Sequence, residues 1–339
     1  MLETVWFILW GVLWAVYFVL DGFDLGLGSL FPFLVRSESE KRTVYDAMGP
    51  FWDGNQVWLI SAGGVTFAAF PKTYAVMFST LYTPLMLLLF ALILRGIAFE
   101  FRDKEDSRAW RTTWDACLVA GSFLPALLLG VAFANLFRGL PLDQQGLFTG
   151  GFGFFHLLNP YGLLGGLLFV GLFTTHGALW LATRGTGPIH RRAGALARRL
   201  WVPLVLVAAA FLAASWFATR LYDNYLAHPA LFAIPLLAVA GLVLARWFMA
   251  REAWWKAWGA SAATILGATL FGVVGLFPDM MPSTLNPAYS LTAFNSASSP
   301  LTLSIMLGVA AVMVPIVLAY QTWVYRTFRG AWGGAEQAY

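Results

Sequence analysis

Nine apolar runs, each long enough to cross the ~30 Å hydrocarbon layer of a bilayer, divide this chain at about 6–35, 50–70, 73–99, 110–137, 152–183, 198–220, 229–250, 255–277 and 300–328. A soluble core cannot absorb so many. In lipid every backbone polar group needs an internal partner, so the expectation is an all-α polytopic integral membrane protein with nine transmembrane helices. Composition agrees, with 59% hydrophobic and only 11% charged residues. Trp6/Trp10, Trp110/Trp114, Trp254/Trp255/Trp258 and Trp323/Tyr325 fit interfacial aromatic belts.

Lys and Arg set the orientation. With the N-terminus outside, all of the 21 basic residues except Lys72, Arg138 and Arg220 fall on the inner side, Arg95, Arg184 and Arg329 among them. The C-terminus is then cytoplasmic. The pI near 9.3 follows from this asymmetry and implies no nucleic-acid partner. Met1-Leu2-Glu3 lacks a basic n-region, and the long, acidic first segment reads as a span and not as a cleaved signal peptide. No linker or internal repeat divides residues 1–339, so a single transmembrane domain is expected. The polar stretch 278–299 reads as an outer loop or an ordered lid.

Charge inside the apolar runs is the strongest functional signal. Asp21 lies roughly 22 Å into the first run at ~1.5 Å per residue, near the bilayer midplane. An acid there costs about 2.5–3.5 kcal/mol on insertion scales, so it faces protein or water. Asp24 shares its helix face, and Gly22 with Gly26 forms a small-xxx-small step for a neighbouring helix. Proton handling and plain helix registration are both open for the pair.

With the inferred topology, Asp53, Glu100 and Asp115 join them between midplane and cytoplasm, a file of acids suited to proton uptake. Each has a rival reading. Asp53 follows Pro50 and suits a helix N-terminus; Asp115 pairs with Arg111 at i,i+4; Glu100 pairs at the surface with Arg95 or Arg102. Trp52, Asn55 and Gln56 head the second run as a helix-contact or polar cluster, with Trp58 behind it.

A haem held between His156 and His228 on different helices is conceivable, but capped or interfacial histidines are the favoured reading, and no haem is assigned to this chain. His156 and His176 are ~30 Å apart on one helix, His190 lies in a basic loop and His228 precedes Pro229. Cys117 is alone, which excludes a disulfide framework, a Cys-x-x-Cys-His attachment and a thiolate metal cluster. No metal is expected on this chain.

Asp21-Gly22-Phe23-Asp24, then Phe51-Trp52-Asp53-Gly54-Asn55-Gln56-Val57-Trp58, then Pro278-Asp279-Met280-Met281-Pro282-Ser283 and Asn295-Ser296-Ala297-Ser298-Ser299-Pro300 resemble subunit II of the cytochrome bd-type quinol oxidases, over essentially the whole chain. The resemblance implies a cell-membrane heterodimer of aerobic respiration, bacterial or archaeal, that oxidises quinol and reduces dioxygen to water. It takes protons from the cytoplasm without pumping. It also implies two b haems and a haem d on a pseudosymmetric subunit I, none ligated here, with a bound structural quinone and small single-span accessory subunits in some members. Asp53 and Glu100 match acids of the family's proton route, although many relatives have Asp where this chain has Glu100. Trp58 matches a position bordering the oxygen or proton route; the family role of the Gly-Phe-Asp pair stays open. A proton-coupled secondary transporter and a purely structural scaffold are the competing readings, and haem absorbance that copurifies with the chain discriminates the first.

Overall fold

The computed structural model describes residues 1–151, 153–328 and 330. Arg329, counted above among the basic residues, and Phe152, at the start of the fifth expected run, lie outside the described residues.

Helix α1 (Leu2–Leu34) is the post around which the other helices stand. From Asp21 to Phe31 every residue is buried, whichever way it points. A helix does this when protein surrounds it on every side. Its neighbours are α3 (Trp52–Ala69), α6 (Arg108–Arg138), α8 (Pro160–Arg184) and α12 (Trp254–Leu276). Farther out, α5 (Tyr82–Phe101) packs on α6, α9 (Gly187–Ala218) on α8 and α11 (Ala233–Ala250) on α12. The last helix, α13 (Pro300–Thr327), leans on α1 and α3 and is exposed along almost its whole length.

Lipid tails are as apolar as leucine, so close backbone approach and polar contacts, more than hydrophobic exclusion, hold such helices together. At the α1–α8 crossing a Cβ on Gly26 would collide with the Phe173 carbonyl, and one on Gly177 with the backbone of Phe23 and Leu27. Gly22 faces the same neighbour, where a Cβ would meet the Phe173 ring, so both halves of the expected small-residue step lie against α8.

Among the described residues eight helices are long and apolar enough to cross a membrane: α1, α5, α6, α8, α9, α11 with the turn before it, α12 and α13. Of the nine expected runs, the second is α3, an 18-residue helix whose first turn carries Asp53, Asn55 and Gln56. Those polar groups keep it out of the apolar set. The third run is two helices, α4 (Pro71–Thr80) and α5, broken at Leu81. Pro84 explains the break, since it has no N–H to give Thr80 and its ring crowds that carbonyl. The fifth begins with the short α7 (Phe154–Leu157) before Asn159 caps α8 and Pro160 takes its first position. The sixth starts early, at Gly187, in a turn rich in arginine whose stems follow the helix out of the apolar layer.

At the C-terminal end of α1, the helix α2 (Glu38–Met48) is capped by Ser37, which accepts from the Glu40 amide, while Glu40 reaches back to the Arg36 amide. This end also carries the α5–α6 and α11–α12 turns and is the basic end of the molecule. At the other end lie α10 (Asp223–Ala227) and a hairpin of β1 (Asp279–Met281) and β2 (Leu291–Thr292), antiparallel with Asp279 opposite Thr292. The 278–299 stretch is ordered there, because Ser298 N donates to the Ala69 carbonyl (2.9 Å) and Leu140 N to that of Pro282 (2.9 Å).

Candidate functional site

Asp21 and Asp24 sit in the fully enclosed part of α1, and neither is exposed at all. Arg95 of α5 donates from Nη2 to Asp21 Oδ1 at 2.6 Å, with both side chains wholly buried. The route for that guanidinium is opened by Gly121 of α6, where a Cβ would collide with the Ala91 carbonyl and the Arg95 backbone. A glycine on one helix therefore lets a second helix deliver its charge to a third. Asp21 Oδ2 and Arg95 Nε and Nη1 have no hydrogen-bond partner among the described residues.

Asp24 has a different partner. Its Oδ2 accepts from Asn55 Nδ2 (2.8 Å), which also reaches the Leu20 carbonyl (3.1 Å). Asn55 Oδ1 in turn accepts from Gln321 Nε2 and from the Tyr325 hydroxyl, each at 3.0 Å, and Trp58 Nε1 donates to Gln321 Oε1 at 3.1 Å. This chain of amides ties α1 to α3 and α13. Arg95 neutralises one of the two carboxylates; no ion pair reaches the other among the described residues.

Two corrections concern the arginines. Arg95 belongs to neither the basic rim nor Glu100, because it is consumed by Asp21. Arg102 likewise leaves Glu100 alone: it binds Asp115 (2.7 Å), Asp103 (3.0 Å) and, very closely, Glu38. A third concerns Asp115, expected to pair with Arg111. Its partners are Lys41 (2.7 Å), Arg102 and the Tyr45 hydroxyl (3.3 Å), whereas Arg111 faces Asp106 (3.0 Å). Helix α2, folded across the α5–α6 turn, brings closer donors than the i,i+4 arginine does.

This cluster at the basic end is graded, with Arg102 and Asp115 buried and Glu38 and Asp103 exposed. Partial burial pushes the Glu38 carboxyl up, but the Arg102 hydrogen bond and charge, with Lys41 behind them, pull it further down, so it ends below its usual 4.5. The hydrogen bond from Arg192 does the same for Glu40.

Asp53 and Glu100 are both exposed and touch neither Asp21 nor Asp24 by any hydrogen bond or ion pair among the described residues. They are near one another in the fold, since each follows one member of the Trp52–Phe99 stack, whose rings are 5.2 Å apart and nearly parallel. Gln56 is partly exposed with its Nε2 unpartnered among the described residues, and Trp58 is buried. Both ring nitrogens of His176 are engaged: Nε2 donates to the Val19 carbonyl (3.2 Å), which leaves Nδ1 to accept from the Ser261 hydroxyl (3.1 Å). The ring stacks on Trp258. Among the described residues no group of three His, Cys, Asp or Glu side chains is placed to hold a metal ion.

Sequence reasoning missed Arg95 as the mate of Asp21. The signal was present: Leu92-Ile93-Leu94-Arg95-Gly96-Ile97 is a single charge inside an apolar run, the mirror of the two acids.

Comparison with known proteins adds an independent line. Residues 2–328 match the family model described as cytochrome bd terminal oxidase subunit II. The chain is 38% identical to cytochrome bd-I ubiquinol oxidase subunit 2 of Escherichia coli, across 96% of this chain and 93% of that protein. It is 36% identical to cytochrome bd ubiquinol oxidase subunit 2 of Bacillus subtilis, across 97% and 96%. A structure of bd oxidase from Geobacillus thermodenitrificans has the same fold, with a TM-score of 0.77 at 16% identity over 96% of this chain and 98% of that one.

Proposed function

The chain belongs to the cytochrome bd terminal oxidase subunit II family, and we propose that within such an oxidase it conducts protons from the cytoplasm toward a haem-bearing subunit I. It is one subunit of a quinol:oxygen oxidoreductase and a multi-pass protein of a bacterial membrane. That membership sets aside the transporter reading.

In this proposal α3 is the ninth span, the N-terminus is outside, and the bundle is pseudosymmetric with subunit I. Two b haems and a haem d on subunit I supply electron transfer and the site of dioxygen reduction. The engagement of both His176 nitrogens supports leaving haem to the partner. Small accessory subunits and a resident quinone complete the assembly in this reading. A quinone in this chain would need an apolar cavity, and the crevice between α1, α12 and α13 has walls of that kind.

Asp53 and Glu100, at the basic end on neighbouring helices, collect protons where the partner covers the α3–α5 face. Asp24, hydrogen-bonded to Asn55 in the first turn of α3, is the exchangeable acid deeper in. Asp21 is held by Arg95 and sets the field that Asp24 feels. Trp58 and Gln321 border this region, and Trp52, Asn55 and Gln56 keep α3 in register with its neighbours. The observation that carries the proposal is the second buried carboxylate, which has an amide as its partner and no ion pair among the described residues. The test is Asp53→Asn in the purified complex, with oxygen consumption expected to slow while haem per protein stays constant.

A further inference from the structure

Asn55 is a buried amide with four side-chain hydrogen bonds, and they leave it one orientation. Its Oδ1 accepts from Gln321 Nε2 and from the Tyr325 hydroxyl, each at 3.0 Å. Its Nδ2 donates to the Leu20 carbonyl (3.1 Å) and to Asp24 Oδ2 (2.8 Å). An amide carries two N–H donors and one oxygen with two lone pairs, so its capacity is full.

A side-chain amide turned end for end fills the same space, so its partners decide which way it points. Here both ends of the chain of bonds are fixed. Trp58 follows Asn55 on the same face of α3, and its indole N–H only donates. It donates to Gln321 Oε1 (3.1 Å), which leaves the Gln321 nitrogen for Asn55. At the other end the Leu20 carbonyl only accepts, and it holds the Asn55 nitrogen. Turning Asn55 over would set donor against donor on the α13 side and oxygen against oxygen on the α1 side, each a buried group left without a partner.

We infer that Gln321 and Tyr325 of α13 are positioning residues for proton exchange at Asp24, acting through Asn55 to confine the proton to Oδ1. The inference rests on the reading of Asp24 as the exchangeable acid. A protonated carboxyl has one O–H donor and one carbonyl oxygen, and the locked Asn55 N–H selects Oδ2 as the carbonyl oxygen. Oδ1 is buried as well and has no hydrogen-bond partner among the described residues. Uptake therefore makes an O–H bond at Oδ1, release breaks it, and Oδ2 accepts from Asn55 throughout. Asn55, with every position taken, holds the acid and does not pass the proton itself.

The test is redox-induced infrared difference spectroscopy of the purified complex, with oxygen consumption per haem measured alongside. The carboxyl band of Asp24 is the one that Asp24→Asn removes. Gln321→Leu/Tyr325→Phe frees the Asn55 oxygen, and it should displace or split that band and slow turnover about threefold at unchanged haem content. Tyr325→Phe alone keeps the ring in place; it should give a smaller displacement of the same band, and it decides the matter if the double variant does not assemble. A plain helix contact would lower the unfolding temperature and leave both band and turnover as in wild type. That result, or a displaced band at wild-type turnover, overturns the inference. Asp24→Asn that removes no carboxyl band and keeps wild-type turnover would instead remove the proton reading, and this inference with it.

Discussion

The molecule contains two sets of ion pairs built from the same groups, and their surroundings give them opposite characters. At the basic end, Glu38, Lys41, Arg102, Asp103 and Asp115 share charge among several partners, some of them partly exposed. In the middle of α1, each of Asp21 and Arg95 has the other as its single ion-pair partner among the described residues, at zero exposure. Loss of one member at the rim is absorbed by the remaining partners and by water. Loss of one member in the core leaves a bare charge in a dry place, which costs about 3–5 kcal/mol. Redundancy marks the end of the bundle that meets solvent; single pairing marks the part that must be assembled correctly once.

The largest effect expected from this contrast is on Arg95. Arg95→Leu should prevent assembly, read as loss of haem absorbance per immunodetected chain in membranes. The double variant Asp21→Asn/Arg95→Gln should recover part of it, because no bare charge remains. If Arg95→Leu assembled normally, the core pair would be no more demanding than those at the rim.

Asp24→Asn comes next. The side chain keeps its size and an oxygen for Asn55, so haem should remain while turnover falls at least about tenfold, equivalent to about 1.4 kcal/mol on the barrier. Loss of haem instead would move Asp24 into the structural class with Asp21.

At the rim, Arg102→Gln should lower stability by about 1–2 kcal/mol, measured by thermal unfolding in detergent, because Lys41 still serves Asp115. The smallest effect belongs to Glu38→Gln, a few tenths of a kcal/mol that added salt should erase. Its pH dependence has a definite sign. A carboxyl held below its unfolded value stabilises the fold above that value, and the contribution fades as pH falls through the lower folded value. Wild type should therefore lose its small advantage over Glu38→Gln below about pH 4.5, the ordinary glutamate value.

The two regions also differ in how far the sequence reveals them. Asp21 and Asp24 stand out because charge in an apolar run has few explanations. Arg95 carries the same message, but a run taken to end near 99 puts it close to the rim. The helix continues to Phe101, so Arg95 is six residues, about 9 Å, inside. The partners of Asp115 were illegible for a different reason: the i,i+4 rule sees only one helix, and Lys41 arrives from 74 positions away. Gln321 and Tyr325 reach Asn55 from 266 and 270 positions away, a pairing that periodicity cannot carry. The break at Leu81 was legible in Pro84, whereas the polar opening of α3 makes eight apolar crossings from nine runs.

The central claim is that carboxylates of this chain supply protons to a reaction housed in its partner, and loss of the Asp53 carboxylate should disturb packing little, since it is exposed in the first turn of α3. Oxygen consumption per haem by the Asp53→Asn complex measures it most directly. The account predicts slower turnover at unchanged haem content; turnover equal to wild type across pH would contradict it.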